Sequence, residues 1–181
     1  MTDITTLKVQ RETRPKIEDV IPFVVDDKKQ ETALNFVSWL RESKMTLSWS
    51  GVHNAWDAKC KGKTICKISL INEGWAKLER GKYSWVIKLY CPHVFKNKYA
   101  EDVIVNEGLQ SIVWNGLREC TRDCLNGTKP CIGGKTYTLY DKEFKGICPH
   151  SLYLEIFDPD EITLNGVKRL LELEKQARAE K

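Results

Sequence analysis

The stretch from residue 48 to residue 91 constrains the fold most strongly, because it has the pattern of several short strands joined by tight turns. Thr64–Ile71 alternates apolar and polar residues with the period of two that a half-buried strand shows. Consecutive strands with connections this short pair as antiparallel neighbours. We therefore predict a meander sheet, with strands at Ala55–Cys60, Thr64–Ile71, Trp75–Glu79 and Tyr83–Tyr90. A further short strand is predicted at Lys135–Tyr140.

Three other segments have apolar residues every three or four positions, the spacing that places them on one face of an α-helix. The predicted helices cover residues 27–43, 101–119 and 159–177. Their predicted apolar faces are, in the same order, Leu34, Val37 and Leu40; Val105, Leu109, Ile112, Val113 and Leu117; and Leu164, Val167 and Leu171. Asp27 is the predicted N-cap of the first helix. Asp158 is that of the last, where Glu161 completes a capping box. Strands and helices in this order predict an α+β fold, an antiparallel meander sheet packed with flanking helices.

The prediction divides the chain into three parts. Residues 1–26 are expected to form an irregular N-terminal arm, and residues 27–119 the α+β core. Residues 120–181 are expected to supply a cysteine-rich loop segment and a C-terminal helix that packs on the core. The charged tail of that helix, from Glu174 onward, is predicted to be solvated. A chain of 181 residues fits one domain with a small appendage.

The composition excludes several classes of protein. Hydrophobic residues make up 41% and charged residues 30%, which is typical of neither a disordered chain nor a membrane protein. The N-terminal residues lack the basic and then apolar pattern of a secretory signal, which predicts a cytoplasmic location with reduced thiols. A formal net charge of +4 is small for a nucleic-acid binder. We expect a small molecule or a protein as the partner, and neither nucleic acid nor a membrane.

Four of the seven cysteines lie in a glycine-rich stretch near the C-terminus, separated by three, six and sixteen residues. They are Cys120, Cys124, Cys131 and Cys148. Thiolates are favoured ligands of tetrahedral zinc, and a cysteine cluster in a reducing compartment indicates metal binding. The sequence therefore predicts a structural zinc ion. The paired CxxC spacing of the strongest zinc motifs is missing, so buried free thiols and redox chemistry remain alternatives.

The tripeptide Cys-Pro-His occurs twice, at Cys91–His93 and at Cys148–His150. His93 or His150 could replace a cysteine as a zinc ligand. A thiol near a histidine also matches the nucleophile and base of a thiol-dependent enzyme, with Cys91 or Cys148 as the nucleophile. Adjacency in sequence does not create that geometry, so chance repetition is the alternative. Whether the protein is an enzyme stays open.

Tryptophan is abundant, with six residues in the chain. Those in or beside the predicted sheet are Trp49, Trp56, Trp75 and Trp85. From one face of the sheet they could line an apolar pocket or stack on a flat ligand, and membership of the core is the alternative. The leading hypothesis is a small zinc-stabilised binding module of unknown ligand, whose aromatic-lined sheet face is the interaction surface.

Two basic turns, Lys59–Lys63 and Arg80–Trp85, mix lysine or arginine with aromatic or thiol side chains. Such mixtures can bind single-stranded nucleic acid by charge and stacking, and they suggest a nucleic-acid or protein interaction factor as a further hypothesis. Both turns connect predicted strands, where lysine is common simply because it is soluble. The solvated-turn interpretation is favoured.

The order of tryptophans, turns and cysteines along the chain forms a recognisable series. Its members are Trp56, Lys61–Lys63, Ile65–Ile68, Trp75, Trp114, Cys120, Cys124, Cys131, Gly134–Lys135, Lys142–Phe144, Cys148 and Pro159. This series resembles a group of uncharacterised bacterial proteins related to the YdhG-like domains of unknown function. The resemblance covers most of residues 30–175 and implies a small α+β fold, without implying an activity.

Overall fold

The computed structural model describes residues 3–70, 83–117, 134–147 and 153–179. The α-helices in these ranges are α1 (Leu7–Thr13), α2 (Ile17–Val24), α3 (Asp27–Glu42), α4 (Lys98–Asn106), α5 (Gln110–Gly116) and α6 (Glu161–Ala179). The strands are β1 (Thr46–Trp49), β2 (Ala55–Cys60), β3 (Lys63–Leu70), β4 (Trp85–Leu89), β5 (Lys135–Leu139), β6 (Lys142–Ile147) and β7 (Leu154–Phe157). One sheet has the strand order β1-β2-β3-β4-β7, and β5 and β6 form a second. The predicted α+β fold with an antiparallel sheet is confirmed.

The chain divides into two compact units. The first unit comprises Met1–Lys88 and Ile156–Asn165, and the second comprises Leu89–Glu155 and Gly166–Lys181. None of the helices within the described residues has the length and hydrophobicity that a membrane span requires.

The β2–β3 hairpin of the first unit follows directly from its turn sequence. Lys61 and Gly62 have φ angles of +49° and +76°, the left-handed pair that a two-residue hairpin turn needs. The turn joins Cys60 to its partner Lys63, and β2 pairs antiparallel with β3. The predicted strands Ala55–Cys60 and Thr64–Ile71 are therefore confirmed within a residue at each end, while Trp75–Glu79 lies outside the described residues.

The N-terminal residues are helical, which corrects the expected irregular arm. Thr6 caps α1 by accepting a hydrogen bond from the backbone of Val9, and α2 buries three apolar side chains. Gln10 of α1 is fully buried and exchanges two hydrogen bonds with Asn54, one of them from the Asn54 backbone N–H to Oε1 at 2.9 Å. Both helices are short, so their stability comes from such tertiary contacts rather than from a long periodic pattern.

The helix caps differ from those predicted. Asp26, not Asp27, caps α3, through a 3.1 Å hydrogen bond from the Lys28 backbone. Asp160, not Asp158, caps α6, accepting from the Thr163 backbone at 2.8 Å. Side chains short enough to cap stand at neighbouring positions in both cases, and local sequence does not choose between them.

The predicted helix over residues 101–119 is two helices, α4 and α5. Gly108 lies between them with a φ of +70°, a left-handed conformation that ends α4. Because the helix is not continuous, the predicted apolar face is wrong at Val105, which is 45% exposed, whereas Ile104 is fully buried. In α6, by contrast, the predicted core residues are all buried: Leu164, Val167 and Leu171.

Candidate functional site

The four cysteines of the predicted zinc site, Cys120, Cys124, Cys131 and Cys148, all lie outside the described residues. His150 lies outside them as well. Within the residues that are described, no group of three or more histidine, cysteine or acidic side chains is arranged to hold a metal ion. The zinc site therefore stays a prediction.

The tryptophans of the sheet belong mainly to the core. Trp56 and Trp85 are each 1% exposed, so neither side chain presents a surface to a ligand, and this corrects the predicted aromatic-lined sheet face at both positions. The indole of Trp56 donates to the carbonyl of Pro15 at 2.9 Å, and the ring of Trp85 lies 6.2 Å from that of Phe36. Trp49 is half-buried and Trp75 lies outside the described residues.

Of the two thiols proposed as nucleophiles, Cys91 is inaccessible and Cys148 lies outside the described residues. Cys91 is 1% exposed, which closes its sulfur to a substrate arriving from solvent. Its proposed partner behaves differently, because the side chain of His93 is 28% exposed and its Nδ1 lies 2.7 Å from a carboxylate oxygen of Glu174. Cys91 therefore does not form an open nucleophilic site with His93.

The described residues of the second unit enclose a cavity of about 230 Å³, named here the Tyr140 pocket. One wall is the chain from the 3-10 turn Val94–Lys96 into the start of α4, and the other is the end of β5. Its lining residues are Val94, Phe95, Lys96, Asn97, Lys98, Glu101, Thr138, Leu139 and Tyr140. Asn97 orders the first wall by capping α4, accepting from the Ala100 backbone at 3.1 Å.

Tyr140 occupies a strained position in the second wall. It forms the β5–β6 turn with Asp141, and their φ angles are +52° and +64°. A two-residue turn with both residues left-handed suits the twist of a hairpin, but a bulky side chain there costs about 1 kcal/mol or more relative to glycine. Strain of this kind concentrates at functional positions.

The hydroxyl of Tyr140 is buried and has no hydrogen-bond partner in the described part of the chain. Burial raises the pKa of this phenol, and the nearby Glu101 carboxylate and Cys91 raise it further. The group is therefore a protonated donor next to the cavity that its own side chain lines. A buried hydroxyl without a partner is costly, so it marks a place where a ligand or water would gain a hydrogen bond.

The β5–β6 hairpin is held by Trp114 of α5. The indole of Trp114 donates to the carbonyl of Leu139 at 3.0 Å, directly before the turn. The ammonium group of Lys142 lies 5.3 Å from the centre of the Trp114 ring and 5.4 Å from that of Phe144, within the range of cation–π attraction. These contacts fix the position of Tyr140 relative to the rest of the second unit.

Glu174 connects α6 to the other wall of the pocket. It is fully buried, which corrects the expectation of a solvated tail from this residue onward. Its carboxylate accepts from the backbones of His93 at 3.2 Å and Val94 at 3.1 Å, from His93 Nδ1 at 2.7 Å and from Arg178 Nε at 2.7 Å. A buried charge with this many donors is well compensated, and it fixes the start of the 3-10 turn.

Sequence reasoning missed the Tyr140 pocket because its two walls are about forty residues apart in the chain. A partial signal was present in the predicted strand at Lys135–Tyr140, which is confirmed as β5. A second signal was the Cys-Pro-His tripeptide, which indicated His93 as a candidate functional residue but did not indicate its contact with Glu174.

Comparison with known proteins adds no constraint to this geometry. No protein-family model matches the chain. Neither a curated protein nor a solved structure shows significant similarity to it. The resemblance to YdhG-like domains therefore stays a prediction from the sequence.

Proposed function

We propose that the protein is a small binding module and that the Tyr140 pocket is its ligand site. The observation that carries this proposal is the buried hydroxyl of Tyr140, which lacks a partner among the described residues and belongs to a side chain lining a cavity of about 230 Å³. A cavity of this volume accommodates a small organic molecule or part of a larger one.

The lining of the pocket favours a ligand with both apolar and polar groups. Val94 and Leu139 are buried apolar residues, and Phe95 adds an aromatic side chain. Tyr140 and Thr138 supply hydroxyl groups. A few polar groups converging in a partly apolar cavity are typical of sites that recognise small molecules.

The test is a fragment screen on the full-length chain, read by NMR chemical-shift changes at the backbone amides. We expect binders to shift residues 94–98 and 138–140 together. Tyr140→Phe, which removes only the hydroxyl, should weaken a polar binder about fivefold to tenfold, the loss of one good hydrogen bond. Thr136→Ala is the matched control, because Thr136 is an exposed residue of the same strand that does not line the pocket. Binders that cluster elsewhere would rule out this site.

We further propose that a structural zinc ion, bound by Cys120, Cys124, Cys131 and Cys148, stabilises the module. The support is the chemistry of the four thiols and their concentration in one stretch of sequence. Elemental analysis of the purified protein should give about one zinc per chain. Cys148→Ser should lower the zinc content and the melting temperature, and Cys60→Ser, at a half-buried position of the β2–β3 hairpin, should leave the zinc content unchanged. Metal-free protein with an unaltered melting temperature would remove the proposal.

A cytoplasmic location and a relationship to the bacterial YdhG-like proteins belong to the same proposal. The location is supported by the thiols Cys60 and Cys66, which form no disulfide within the described residues, as is usual in a reducing compartment. Fractionation of the cells that express the protein tests it, and recovery in a membrane or secreted fraction would contradict it.

A further inference from the structure

A second, smaller cavity of about 140 Å³ adjoins the Tyr140 pocket. It is lined by His93, Lys96, Asn97 and Ala177, and it shares Lys96 and Asn97 with the larger cavity. A ligand that occupies one cavity therefore lies next to groups that line the other. The smaller cavity is named here the His93 pocket.

The imidazole of His93 is held in one orientation. Its Nδ1 lies 2.7 Å from Glu174, whose carboxylate accepts a hydrogen bond and so requires the proton to be on Nδ1. Nε2 is then the ring nitrogen left to meet a ligand, and the side chain is 28% exposed. A histidine oriented by a buried carboxylate is the arrangement by which proteins present a single imidazole nitrogen to a bound group.

The charge of Glu174 does not oppose an anion at this position. Arg178 Nε lies 2.7 Å from the carboxylate, and the backbone N–H groups of His93 and Val94 also donate to it. The negative charge is therefore neutralised inside the second unit.

The two lysines of the larger cavity differ in their availability. Lys98 lies 3.3 Å from Glu101 and 3.2 Å from Asp102, so its charge is already paired. Lys96 forms no ion pair within the described part of the chain and lines both pockets. An ammonium group without a carboxylate partner attracts a negatively charged group, and Lys96 lines the same cavity as the His93 imidazole.

We infer that the His93 pocket binds an anionic group of the ligand, a carboxylate or a phosphate, through His93 Nε2 and Lys96 Nζ. The inference rests on the proposed function, because it names the chemical class of the molecule that extends from the Tyr140 pocket. An anion accepts a hydrogen bond from Nε2 only when the imidazole is protonated. The charged groups around His93 are Glu174, which contacts the ring, Arg178, which donates to Glu174, and Lys96, which lines the same cavity.

The experiment is an NMR titration of histidine ring resonances in the ¹⁵N-labelled full-length chain. Inorganic phosphate and acetate are added in separate titrations at constant ionic strength. We expect a saturable shift at His93 with at least one of the two anions, and the anion that binds tells a phosphate from a carboxylate ligand. His53 is the internal control, because its Nε2 lies 2.6 Å from the Thr5 carbonyl and is already occupied.

Two lysine variants complete the test without touching the buried groups. Lys96→Met should weaken anion binding about fivefold or more. Lys145→Met should change it less than about twofold, because Lys145 lies 3.1 Å from Glu143 and lines neither pocket. Three outcomes would each overturn the inference. They are shifts that do not saturate, equal shifts at His53 and His93, and equal effects of the two lysine variants. Neutral ligands that bind the Tyr140 pocket independently of Lys96 would also overturn it while leaving the proposed function intact. Anion binding at His93 with no organic ligand in the larger cavity would support the anion site and contradict the proposed function.

Discussion

At the scale of single residues, Asp158 connects α3 to the start of β4 in the first unit. Its Oδ1 accepts from the backbones of Ser84 and Trp85, both at 2.9 Å, and its Oδ2 lies 2.5 Å from Lys29 Nζ. Its own N–H donates to the carbonyl of Trp85 at 3.0 Å, and its φ of +39° is left-handed. The side chain thus satisfies the two backbone donors at the start of β4, groups that would be costly to leave without partners.

We predict that Asp158→Ala lowers the free energy of unfolding by about 2–4 kcal/mol. The variant loses the hydrogen bonds that the carboxylate accepts, and alanine is less stable than aspartate in the left-handed conformation of residue 158. Asp158→Asn should cost less, because an amide oxygen still accepts and asparagine tolerates positive φ. Urea unfolding of the full-length chain measures both.

Asp160→Ala is the control, since Asp160 only caps α6 and should cost about 1 kcal/mol. Equal losses for Asp158→Ala and Asp160→Ala would show that Asp158 contributes no more than a helix cap.

At the scale of elements, α6 packs against α5 at Gly166. A Cβ atom at this position would lie 2.0 Å from Ile112 Cδ1 and 3.3 Å from Leu109 Cδ2. The nearest atom is the end of a half-buried, flexible side chain, so it can rotate away from one added methyl group. A longer side chain has no such space, and the glycine therefore sets the separation of the two helices.

We predict that Gly166→Ala changes the free energy of unfolding by less than about 1 kcal/mol, because the gain in helix propensity offsets the displacement of Ile112. Gly166→Leu should instead destabilise the protein by about 1–3 kcal/mol through overpacking.

The double variant Gly166→Leu with Ile112→Ala tests the cause, since the truncation opens space beside residue 166. It should be more stable than the sum of the two single losses predicts, as measured by thermal or urea unfolding. Strict additivity would mean that the two side chains do not compete for that space.

At the scale of the whole molecule, buried acids that are neutral when protonated make stability depend on pH. Burial raises the pKa of the Cys66 thiol, and the carboxylate of Asp57 raises it further. Tyr140 is a second such group, with a raised pKa in the other unit. In each case the folded chain holds its proton more tightly than the unfolded chain does. Folding therefore opposes ionisation, and stability falls as the pH rises above the unfolded pKa.

We predict that the free energy of unfolding decreases between about pH 8.5 and pH 10, the range in which an unfolded cysteine ionises and the buried one does not. Cys66 should contribute up to about 1.4 kcal/mol per pH unit there. Urea unfolding across this range measures the slope.

Cys66→Ala should be less stable overall because of the cavity it leaves. Its free energy of unfolding should, however, fall less steeply with pH than that of the parent protein. An unchanged slope in this variant would show that the Cys66 thiol is not the titrating group. Native Cys66 should also resist iodoacetamide at about pH 8, whereas the half-buried Cys60 reacts.

The α+β class, the β2–β3 hairpin, β5, and the cores of α3 and α6 could be predicted because each depends on local periodicity and on the turn chemistry at its ends. Lys61–Gly62 allows a left-handed turn whatever surrounds it. Leu164, Val167 and Leu171 lie on one side of any helix that contains them. The same reasoning predicted the wrong N-cap of α3, because Asp26 and Asp27 are adjacent and either side chain can cap a helix.

The sequence by itself determined the β2–β3 hairpin, β5 and the helices α3 and α6, since backbone geometry and side-chain period act within a few residues. Only the tertiary structure decided that Trp56 and Trp85 are core, that Asp158 binds the start of β4 and that Glu174 lies buried against His93. It likewise decided that residues 94–98 and 138–140 enclose a pocket. The physical reason is that burial and pairing depend on groups far apart along the chain, whose encounter no local pattern encodes.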